Sequence, residues 1–238
     1  MHSAGVSYFC RMKAYCISGL GADERIFCNL HFPEALEPVY LKWIKPKPNE
    51  TLEQYAMRLS EKIEGDEPFV LIGLSLGGML AVEISKKKHP LATILISSAA
   101  TSKELPGLYR WAGQVGLHKL LPAGLYKTAS FMKRYFTTES MDSKKLVQQL
   151  IREADPAFIR WGVNAIVQWK NDEVPERVYR IHGTRDEILP LKNKDGIQAI
   201  PGGKHLMILD RAGEINPMIE AICANACSGV HNSDGPKK

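Results

Sequence analysis

The chain has 238 residues, 45% of them hydrophobic, enough for one large core and an undivided α/β domain. Its 31 basic and 26 acidic residues give a formal net charge of +5, spread along the chain rather than gathered in an arm, so no nucleic-acid partner is expected. Five cysteines, at 10, 16, 28, 223 and 227, are odd in number and lack C-x-x-C spacing, which argues against a zinc or dithiol redox site. Residues 6–10 are too short and interrupted to serve as a signal sequence, and no stretch approaches the length of a membrane span. A soluble protein of the reducing cytoplasm is the expectation.

Residues 1–11 carry no period and are expected to form a loose extension, with the first strand over 12–18. The glycine-rich turn 18–24 follows it, too short and lacking the lysine of a phosphate cradle, but suited to presenting backbone donors. A second strand is expected over 39–43, ended by Pro46 and Pro48. Thr51 and Gln54 have capping-box spacing, and Leu52, Tyr55, Ala56, Leu59 and Ile63 share one face of a helix reaching about Glu64.

Residues 69–72 are apolar without alternation, as in a strand buried on both faces, and a helix begins near Met79. Between them lies Gly73-Leu74-Ser75-Leu76-Gly77, a serine in a sharp strand-to-helix turn that requires small neighbours two positions away on either side. Lys86, Lys87 and Lys88 close that helix, where cations suit the C-terminal dipole. The next strand is expected over 92–97.

Residues 103–170 break the strand–helix rhythm and predict several short helices, one of them capped by Asp155 with Pro156 at its first position. Their aromatics, among them Trp111, Phe131, Phe158, Trp161 and Trp169, suit an insertion that roofs the serine. Strands are expected again over 178–181 and 197–200, then a last helix over about 214–226 and a loose tail over 228–238. The order predicts a doubly wound, mainly parallel sheet of about six strands, with helices on both faces and a helical cap insertion. A single domain over 12–226 contains it.

A serine hydroxyl needs a base, and the base needs an acid to orient it. His205, after the glycine pair at 202–203 and late in the chain, is the preferred base; His182, beside Gly183 at a strand end, is the rival, better suited to holding its loop. Asp186 is the preferred acid, with Glu187 and Glu104 as alternatives. The candidate catalytic residues are therefore Ser75, Asp186 and His205, with no metal or organic cofactor expected, since no His, Cys and carboxylate cluster has ligand spacing.

G-L-S-L-G at 73–77, H-G-T-R-D at 182–186 and G-G-K-H at 202–205, in that order, resemble the α/β-hydrolase superfamily over about 12–226. The resemblance implies a helical cap, a covalent intermediate on Ser75, and an oxyanion hole from the backbone N–H groups of Leu20 and Leu76. Where many members have His-Gly this chain has Ser18-Gly19, so Gly19 and Gly21 stand beside Leu20 as alternative donors. Little chain precedes Tyr15, so about six strands are expected instead of eight. The implied activity is serine-dependent cleavage of a carboxylic ester, or related acyl bond, of a small to medium, partly apolar substrate. Acyl transfer by the same residues and a non-catalytic ligand-binding role are the alternatives. No oligomeric state follows from the sequence.

Overall fold

Six short strands form one sheet in the computed structural model, which describes residues 12–107, 109, 138–192 and 194–231. They are β1 (Met12–Ile17), β2 (Leu36–Tyr40), β3 (Phe69–Leu74), β4 (Ala92–Ile96), β5 (Val178–Gly183) and β6 (Ile197–Ile200). Their order is β2-β1-β3-β4-β5-β6, and every pairing is parallel. β3 and β4 are buried at every position, which explains their unbroken apolar sequence.

The helices are α1 (Leu52–Ser60), α2 (Leu76–Lys88), α3 (Met141–Glu153), α4 (Pro156–Gln168), α5 (Met207–Asp210) and α6 (Ala212–His231). Alternate residues of β3 point into two separate cores. Val70 and Ile72 join Ile94, Ile181, Ile208, Ile215 and Ile219, so α5 and α6 cover one face. Leu71 joins Ile17, Leu59, Leu80 and Ile84, so α1 and α2 cover the other. Each fully buried Leu or Ile here contributes about 1.5–3 kcal/mol. The expected α/β sheet wound on both faces is the observed one.

Several boundaries differ from expectation for local reasons. β2 runs three residues earlier than expected and includes Pro38, whose missing N–H is tolerated because β2 is the edge strand. Leu41 N still donates to Cys16 O of β1 at 2.9 Å, and beyond it the Trp43 indole donates to Ala22 O at 2.7 Å. The regular part of α1 stops at Ser60, where the hydroxyl donates to Met57 O, and tighter i to i−3 bonds then carry the chain to Ile63. α6 continues through 227–231, into the expected loose tail.

The expected capping box is present: Thr51 Oγ1 accepts from Gln54 N at 3.2 Å and Gln54 Oε1 from Thr51 N at 3.0 Å. Asp155 Oδ1 accepts from Ala157 N at 2.8 Å and Pro156 opens α4. Residues 108 and 110–137, including Trp111, Leu117, Leu120, Phe131, Met132, Tyr135 and Phe136 of the expected insertion, lie outside the described residues, as do 1–11 and 232–238.

Within the described part of that insertion, α3 and α4 are helices of thirteen residues each. α4 lies against α1 and the loop after β2 through aromatic contacts, Tyr55 with Trp161 at 4.2 Å and Trp43 with Phe158 at 4.8 Å between ring centroids. The Trp161 indole donates to Glu50 O at 2.9 Å, which satisfies its one polar atom in an otherwise apolar contact. Among the described residues no helix is long and apolar enough to cross a membrane.

Candidate active site

The chain passes outward from β1 to β2 and then back across β1 to β3, so the carboxyl ends of β1 and β3 flank a topological switch point, where open parallel sheets bind ligands. Ser75 stands at the end of β3 with φ 53° and ψ −119°, outside the ordinary helical and strand regions. Such a conformation costs on the order of 1–3 kcal/mol and persists only when its surroundings enforce it. Here Ser75 N donates to Ile96 O at 3.0 Å, while Ser75 O accepts from Gly78 N at 2.9 Å and from the Ser98 hydroxyl at 2.6 Å.

The small residues of the turn follow from close approach. A Cβ on Gly73 would strike the backbone of Gly77 and Gly78, and one on Gly77 would strike the carbonyls of Ile17 and Ser18 at the end of β1. The turn therefore sits directly on the β1 loop, whose Gly19 lies at the Ser75 Cβ. Ala22 N donates to Gly19 O at 3.0 Å and Ser18 Oγ to Ala22 O at 2.9 Å, folding residues 18–22 tightly. Leu20 lies in this loop. Leu76 opens α2, and the N–H of a first helical residue has no intrahelical acceptor.

Asp186 and His205 come from the loops after β5 and β6, and these two loops are stitched together. Thr184 N donates to Ile200 O at 3.0 Å, Arg185 N to Gly203 O at 2.9 Å, and Gly202 N to Thr184 Oγ1 at 2.9 Å. A Cβ on Gly183 would collide with the Gly203 backbone, which is why both motifs carry glycine.

The structure brings Ser75, His205 and Asp186 into one hydrogen-bonded row. His205 Nε2 is 3.0 Å from Ser75 Oγ, and His205 Nδ1 is 2.8 Å from Asp186 Oδ2. A carboxylate only accepts, so Nδ1–H donates to Asp186 and turns Nε2 to the serine hydroxyl, the geometry in which that nitrogen can take the serine proton. Asp186 Oδ1 accepts from Ile188 N and Leu189 N, both at 2.9 Å. Burial works to raise the Asp186 carboxyl, but the His205 charge beside it and the hydrogen bonds from His182, His205 and Leu189 outweigh burial and hold it well below the ordinary carboxylate range. Ser75 is half-buried, while Asp186 and His205 are buried.

The alternatives lie elsewhere. Glu104 pairs with Arg180 and accepts from Ala100 N at 3.1 Å, and Glu187 is exposed. His182 is buried beside Asp186, with Nε2 2.8 Å from Leu189 O and 3.2 Å from Asp186 Oδ2. Ser98 was not among the expected site residues; its signal is the run of small residues 97–100 just after β4, where a Cβ on Gly78 would meet the Ser98 side chain. Beside the β1 loop a cavity of about 390 Å³ opens between residues 21–23, residues 43–46 and the α3–α4 corner, lined by Trp43, Ile44, Leu150 and Phe158 among others. Among the described residues no group of three His, Cys, Asp or Glu side chains is placed to hold a metal ion.

Residues 18–217 match the alpha/beta hydrolase family, and the chain belongs to that family. The fold is similar to that of a thermophilic esterase from Thermogutta terrifontis, with a TM-score of 0.59 at 16% identity over 90% of each chain. It is similar also to a lipase-esterase related protein from Clostridium acetobutylicum, with a TM-score of 0.65 at 17% identity over 89% of this chain and 94% of that one. An enol-lactonase from Burkholderia xenovorans gives 0.59 at 18% identity over 90% of this chain and 91% of that one. A comparison with curated proteins gives no match.

Proposed function

We propose that the protein is a serine-dependent hydrolase that cleaves a carboxylic ester, or a related acyl bond, of a small to medium, partly apolar substrate through an acyl-enzyme on Ser75. The observation that carries the proposal is the row from Asp186 through His205 to Ser75 Oγ, with the serine held in a strained turn at the switch point of the sheet. A binding pocket has no need of a base poised on a hydroxyl. Three proteins of the same fold are named esterase, lipase-esterase related protein and enol-lactonase, and ester and lactone share one bond class.

In this mechanism Ser75 Oγ attacks the substrate carbonyl as His205 Nε2 takes its proton. The N–H groups of Leu20 and Leu76 receive the oxyanion, each contributing roughly 3 kcal/mol. Asp186 steadies the imidazolium, which returns its proton to the departing alcohol. Water, deprotonated by the same nitrogen, then attacks the acyl carbonyl and releases the acid, restoring the serine. Residues 103–170 act as the cap of a catalytic domain spanning 12–226, with α3 and α4 over the β1 loop.

A fluorophosphonate probe should label one residue, Ser75, and Ser75→Ala should abolish labelling. A panel of acyl esters graded by chain length should be hydrolysed by the wild type, with kcat lowered at least about a thousandfold in the variant. Folded protein that neither labels nor hydrolyses any ester would overturn the proposal.

A further inference from the structure

His182 occupies the penultimate position of β5, is 3% exposed and lies against Asp186. Its Nε2 lies 2.8 Å from Leu189 O and 3.2 Å from Asp186 Oδ2. A peptide carbonyl can only accept, so Nε2 carries the proton, and the same N–H leans on the carboxylate oxygen that receives His205 Nδ1–H at 2.8 Å. Leu189 is bound at both ends: its N–H donates to Asp186 Oδ1 at 2.9 Å while its carbonyl faces His182. Carboxylate, Leu189 peptide and imidazole thus form a closed ring of contacts.

Resting on the proposed role of Ser75, His205 and Asp186, we infer that His182 is a positioning residue. Its Nε2–H fixes the rotation of the Asp186 carboxylate, so that Oδ2 meets His205 Nδ1, and clamps residues 186–189 against β5. Ile188 N and Leu189 N hold only Oδ1. Without the His182 donor, Oδ2 keeps His205 as its single partner, the carboxylate can tilt, and the Leu189 carbonyl is left buried without a donor. The effect reaches Ser75 only through the orientation of His205, so it falls on turnover rather than on substrate binding.

The side chain of Gln extends its amide nitrogen about as far as Nε2, whereas that of Asn falls one atom short. His182→Asn should lower kcat about tenfold with KM within about twofold of wild type, and His182→Gln should restore kcat to within about twofold. In protein labelled with ¹⁵N-histidine, the low-field proton of His205 Nδ1–H should move in His182→Asn and keep its position in His182→Gln. A His182→Asn enzyme with wild-type kcat and an unmoved resonance overturns the inference. If that variant does not fold, the wild-type spectrum decides: ¹⁵N shifts that place the His182 proton on Nδ1 instead of Nε2 overturn it equally. Wild-type protein that fails to label or turn over removes the proposed function, yet the resonance comparison still tests His182, because it needs no substrate.

Discussion

Asp186 has donors on both carboxylate oxygens: two backbone N–H groups on Oδ1, and His205 with His182 on Oδ2. Burial works to raise its pKa, but the His205 charge and these donors outweigh burial and leave it depressed. A group whose folded value lies below its ordinary 3.8 contributes stability that is complete above that value and lost as pH falls below it. In urea titrations the stability gap between wild type and Asp186→Asn should therefore hold above about pH 5 and narrow as pH drops from there toward about 2; a constant gap across that range would contradict the charged, hydrogen-bonded state. At neutral pH Asp186→Asn should cost kcat on the order of 10³- to 10⁴-fold, because an amide that donates to Nδ1 would impose the wrong ring tautomer. Glu104→Gln should leave kcat within about twofold, since Glu104 is engaged by Arg180. At this scale residue chemistry was legible: a serine between glycines, and an acid and a histidine after late strands. Ser98 was not, because its contribution is a hydroxyl aimed at the Ser75 carbonyl across two strands, and no spacing along one chain segment encodes that.

At the level of elements, α4 braces the β1 loop. A Cβ on Gly162 would meet the Leu20 side chain, and one on Gly21 would lie 3.0 Å from Ile159 Cδ1; Glu153 at the end of α3 adds an ion pair to Arg25, which also pairs with Asp23. Gly162→Ala should push on Leu20, the proposed oxyanion donor, and lower kcat about tenfold, short of the roughly hundredfold that loss of a whole donor would cost. Unchanged kcat in a variant of unchanged melting temperature would show that α4 does not hold the loop. Thr51→Ala, which removes the N-cap of α1, should cost about 1 kcal/mol in denaturant unfolding. Element types were legible wherever local chemistry decided them, as in the Thr51 capping box, Pro156 at the start of α4 and the apolar β3. Boundaries moved where a partner decided them. β2 slid toward Leu36 because its register is set by pairing with β1, an interaction absent from its own sequence.

The whole molecule keeps Cys16 and Cys223 buried and Cys28 exposed. Burial, with Cys223 nearby, pushes the Cys16 thiol well above its ordinary value, so a thiol reagent should modify Cys28 in the native protein and reach Cys16 only at the rate of global unfolding. Fast native modification of Cys16 would mean that β1 opens locally. The chain also supplies its site from opposite ends. Ser75 and His205 are separated by 130 positions, whereas Asp186 and His205 are separated by 19 and arrive stitched to each other on the last two strands. A half-made chain holding β1 to β4 presents the serine with no base beside it, and such long-range pairings form late. Under the proposed function the hydroxyl would thus be inert through synthesis and early collapse, and would become reactive only once β5 and β6 have docked. Fluorophosphonate labelling during refolding should lag the recovery of far-ultraviolet circular dichroism, so that reactivity serves as a clock for the last step of assembly.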